Sequence, residues 1–212
     1  MEINWIYLVS AILLLWIPAP FFFPTEAKER FVANVYGFDY SLSGYLSVWQ
    51  NWLDGLRGFA GGYCLVHLAV FPDPAVEHAN YIVMGTLAAV FAIAVIAQTV
   101  HRSDGVVFFH APIFFLWGVT LILSGWLLGI YVIIAGLCTS FMSDSVEVKL
   151  WVTILVLTVF GYFLKGINPM VALNVGLFIL PLALTYSFNN HLVALTTVSE
   201  YRDDEDEETE IE

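Results

Sequence analysis

Long apolar runs separated by short polar or proline- and glycine-bearing stretches set the pattern of this chain. An α-helix rises about 1.5 Å per residue, so about 20 apolar residues cross a hydrocarbon core of about 30 Å. Runs of that kind cover about residues 5–23, 45–71, 80–100, a fourth from near Pro112, 148–164 and 170–188. Pro18 and Pro20 interrupt the last turns of the first run. Thr25, after Pro24, is placed to cap a short amphipathic helix over 26–36 that Gly37 stops. Its Phe31, Val32, Val35 and Tyr36 suit the membrane interface, with Glu26, Lys28, Glu29 and Arg30 towards water. Residues 38–43 read as a turn-rich connector, and His101 to Gly105 as a loop. The apolar stretch 106–142 is too long for one upright helix. Either a tilted span starts near Pro112, or the stretch breaks at Ser124-Gly125. Lys165-Gly166-Ile167-Asn168-Pro169 is turn sequence that joins the last two runs as a hairpin. The expected fold class is all-α, a polytopic membrane bundle of about six transmembrane helices with an interfacial segment after the first. Residues 1–198 form a single transmembrane domain, and 199–212 an acidic tail expected to be disordered.

The second run is unlike the others. At about 100° per residue, Ser47, Gln50, Asn51, Asp54, Arg57 and Gly61 fall on one narrow stripe. Asp54 and Arg57 stand one turn apart and can pair within the helix. Counting back from Pro72 puts them within about a turn of the near interface, at the level of Trp49 and Trp52. Two readings stand open: a polar vestibule, or a pair that snorkels and fixes helix depth. Gln50, Asn51, Asp54 and Arg57, with His67 deeper in the same helix, are the candidate binding or vestibule residues. The third run is nearly featureless, with Thr86 and Gln98 as its main polar positions.

Composition turns this pattern into a class. The 212 residues are 59% hydrophobic and 12% charged, against about 25% charged in a soluble domain. That identifies an integral membrane protein whose first partner is the lipid bilayer. The net charge of −12 is mostly local, since residues 203–212 hold eight of the nineteen acids. Seven Lys and Arg in all give no basic cluster for nucleic acid. Glu2 stands where a secretory signal would carry positive charge, so the first run reads as a retained span. Lys28, Arg30, Arg102 and Lys165 on one side outnumber Lys149 and Arg202 on the other. The positive-inside rule then puts both termini on the same, non-cytoplasmic side.

Gly58-x-x-x-Gly62 and Gly125-x-x-x-Gly129 have the small-residue spacing of close helix packing. Cys64 with His67, and Cys138 with Met142, are soft pairs at helical spacing. No second mid-span histidine completes a haem site, and His78, His101, His110 and His191 read as loop or interface residues. No metal, cofactor or catalytic constellation is therefore expected, and the thiols read as buried. Asp54, His67 and Asn174 would make an enzyme site only if the second and last spans met. The run LRGFAGGYCLVH, twelve residues, resembles the first-helix pattern of small DoxX-like membrane proteins. The six-span layout differs from that family's shorter one, and no residue role or activity is carried over. Three functions follow in order: a non-catalytic subunit or scaffold binding other membrane subunits or its own copies; a small transporter or channel with its vestibule at Asp54 and Arg57; and a membrane enzyme or redox carrier using Cys64 and His67.

Overall fold

A computed structural model of the chain describes residues 1–18, 46, 48–103, 106–143, 145–189 and 192–193. The Thr25 cap, the 26–36 helix, the 38–43 connector, Ser47 and the acidic tail lie outside the described residues.

The proline that follows it shortens the first helix. Helix α1 spans Trp5–Trp16, and Ile17 is already extended because a residue before proline is pushed out of the helical region. Helix α2, Trp49–Tyr63, meets no breaker and continues as a π-helical segment over Cys64–Ala69. It ends in a short strand β2, Val70–Phe71, paired antiparallel with β1, Glu2–Ile3. The run expected as one straight helix is thus an α-helix, a π segment and a strand.

Helix α3 covers Ala79–Thr99. Strands β3, Val100–Ser103, and β4, Val106–His110, then pair antiparallel where a loop was expected. Strand β5, Leu192–Val193, adds to β4 in parallel. The stretch 106–142 breaks at Ser124-Gly125 into α4, Ile113–Leu123, and α5, Trp126–Met142. Gly125 has φ +81°, a conformation that glycine adopts without strain. Helix α6, Val146–Lys165, is capped by the Ser145 hydroxyl, which accepts from the Val148 N–H. Helix α7, Pro169–Ser187, is capped by Asn168 and has Pro169 in its first turn, where no N–H is needed.

Among the described residues α3, α6 and α7 are long and apolar enough to cross a membrane. The outer surface carries large exposed apolar side chains such as Ile6, Leu56, Trp126 and Phe163. The protein is mostly helical, and this surface with the three apolar helices is compatible with a membrane protein. The count of six spans is not supported as it stood, because the described residues hold seven helical legs in alternating directions. Helix α1 runs beside α3 in the same sense, with Met1 near Thr86 and Leu15 near Gln98. Helix α2 runs the other way, from Arg57 beside Leu14 to Ala69 beside Asn4. Helix α4 parallels α2, since Trp52 meets Phe114 and Gly62 meets Ile122. Helix α5 turns back, with Gly129 on Leu121 and Gly136 on Trp117. Helices α6 and α7 form the hairpin read from the sequence, with Gly161 on Val171. One end of the bundle carries β3, β4 and β5, and is called the sheet end; the turns at Gly125 and Gly166 lie at the far end.

Helix α4 is the core. Every residue from Ile113 to Thr120, and Leu123, is buried. It lies in backbone contact with α2: a methyl on Gly58 would overlap the Phe115 carbonyl, and one on Gly118 the Gly55 carbonyl. Gly62 and Gly129 also sit at helix contacts, whereas Gly125 belongs to the turn and not to a helix face.

Candidate functional site

The stripe on α2 faces inward. Asn51, Asp54, Arg57, Gly58, Gly61 and Gly62 are its buried positions, and Gln50 at its start is half-buried. Asp54 and Arg57 are 6% and 5% exposed, so the pair does not snorkel. Arg57 Nη1 donates to Asp54 Oδ1 at 2.7 Å. Its Nε donates to the Leu14 carbonyl at 3.2 Å, and its Nη2 to the Ile17 carbonyl.

Those carbonyls explain the arginine. The last turn of any helix leaves its carbonyls without intrahelical partners and carries partial negative charge. Pro18 ends α1 at Ile17, where Trp16, Ile17 and Pro18 are half-buried, so this terminus is partly shielded from the solvent that usually satisfies it. Two side chains from two other helices serve instead. Arg57 comes from α2, and Gln98 Nε2 on α3 donates to Leu15 O at 2.9 Å and Ile17 O at 2.8 Å. Asp54 balances the guanidinium charge that would otherwise be buried alone. The sequence singled out Asp54 and Arg57 by charge. Gln98 was visible as a lone amide in an apolar run, but nothing local showed what it serves.

Gln98 also links this cluster to the sheet. His101 and His110 lie on β3 and β4 with ring centroids 5.9 Å apart, and hydrogen bonding to the Gln98 backbone reaches both. Lys149 on α6 is a further buried cation at this end.

The soft residues are not gathered here. His67 is exposed on the π segment, with its ring 5.1 Å from that of Tyr63 and on a different face from Asp54. Cys64 is half-buried, while Cys138 and Met142 are exposed on α5, so the thiols expected to be buried are not fully so. Among the described residues no group of three or more His, Cys, Asp or Glu could hold a metal ion. Asn174 on α7 belongs to a separate network at the far end. Its Nδ2 donates to Ser124 Oγ at 2.9 Å, and its Oδ1 lies 3.3 Å from Thr120 Oγ1, a hydroxyl that donates more closely to Leu116 O at 2.7 Å. Asp54, His67 and Asn174 therefore do not share a cavity. No family model, curated protein or solved structure matches the chain.

Proposed function

We propose that the protein is a multi-pass membrane subunit or scaffold, without catalysis of its own, that docks other membrane components or further copies of itself through its outer apolar surface. The observation that carries this reading is the engagement of the α2 stripe within the fold. The guanidinium of Arg57 is held by Asp54 and two α1 carbonyls. A vestibule at Asp54 and Arg57 would need those groups to face water, and a Cys64–His67 redox site would need His67 to face inward. A subunit needs neither, and the seven-legged bundle leaves a broad face of aromatic and aliphatic side chains for partners.

The same reading includes a topology. Seven passes, with β4 and α4 together making the fourth, replace six, so the starts of α1 and the end of α7 fall on opposite faces. The segment joining α1 to α2 carries Lys28 and Arg30 and leaves from the sheet end, where Arg102 and Lys149 also stand and after which Arg202 follows. Lys165 stands at the far end. By the positive-inside rule the sheet end is cytoplasmic.

Extraction in a gentle detergent followed by native mass spectrometry tests the subunit role. A stoichiometric partner or homo-oligomer is expected; a monomer alone, together with solute flux in proteoliposomes that is lost on D54N and R57Q, would overturn it in favour of transport. For topology, single cysteines at Arg102 and Lys165, in a background lacking Cys64 and Cys138, should label from opposite sides of sealed vesicles.

A further inference from the structure

We draw no further inference here: the strongest candidate, the apolar groove of about 320 Å³ between α2 and α5 over α4, is an unpartnered outer face, and nothing in the structure shows what covers it.

Discussion

Two helices end inside this protein, and they are closed in opposite ways. At the sheet end α1 stops at Pro18, and its carbonyls are met by a charged side chain and an amide brought from two other helices. At the far end α4 stops at Ser124-Gly125, where the chain closes itself. The Ser124 N–H returns to Thr120 O, Gly125 reverses direction, and a neutral amide, Asn174, fastens the turn from outside. The difference follows from conformational freedom. A glycine lets the backbone turn and satisfy its own terminus locally, whereas a proline stops a helix without supplying a donor. An open terminus thus draws charged and amide side chains from other helices, and the ionic pair on α2 meets the end of α1.

The largest effect should come from unbalancing the ionic pair. R57M leaves Asp54 buried and alone, and should destabilise by about 3–5 kcal/mol in thermal unfolding in detergent. Adding D54N should recover part of that loss, and a harmless R57M would break the comparison at its root. Q98L removes two hydrogen bonds to the same terminus and strands carbonyls, for a loss of about 1–3 kcal/mol; a loss larger than that of R57M would shift the main cap to the amide. The smallest effect belongs to the neutral network: N174L should cost about 1 kcal/mol or less, measured by the same unfolding assay.

Much of this could be read from local pattern. The inward stripe on α2 follows from a 100° period, the end of α1 from Pro18, and the α6–α7 hairpin from Gly166, Asn168 and Pro169. What the stripe serves could not be read, because Arg57 and the Ile17 carbonyl are 40 positions apart and no periodicity joins them. The choice between one tilted span and a break at Gly125 also lay beyond local sequence, since both sides are equally apolar. It is decided by Gly129 and Gly136, which receive Leu121 and Trp117 when α5 folds back. The β3–β4 strands were legible and missed. Val106, Val107, Phe108 and Phe109 are strong strand formers, and Asp104-Gly105 before them is a two-residue turn sequence. The count of apolar runs hid them, because the same residues also read as the beginning of a span.

The complete burial of α4 has a consequence for how the protein is made. Eleven residues of helix reach about 16 Å, too little to enter and hold a bilayer of about 30 Å unaided. Synthesis delivers α2 before α4 and α5 after it, so the glycine face of α2 is already waiting when α4 emerges. On the proposed reading as a multi-pass membrane protein, the helix at the centre of the fold is too short to hold a bilayer by itself. Its contacts with α5 form only once the chain has turned at Gly125.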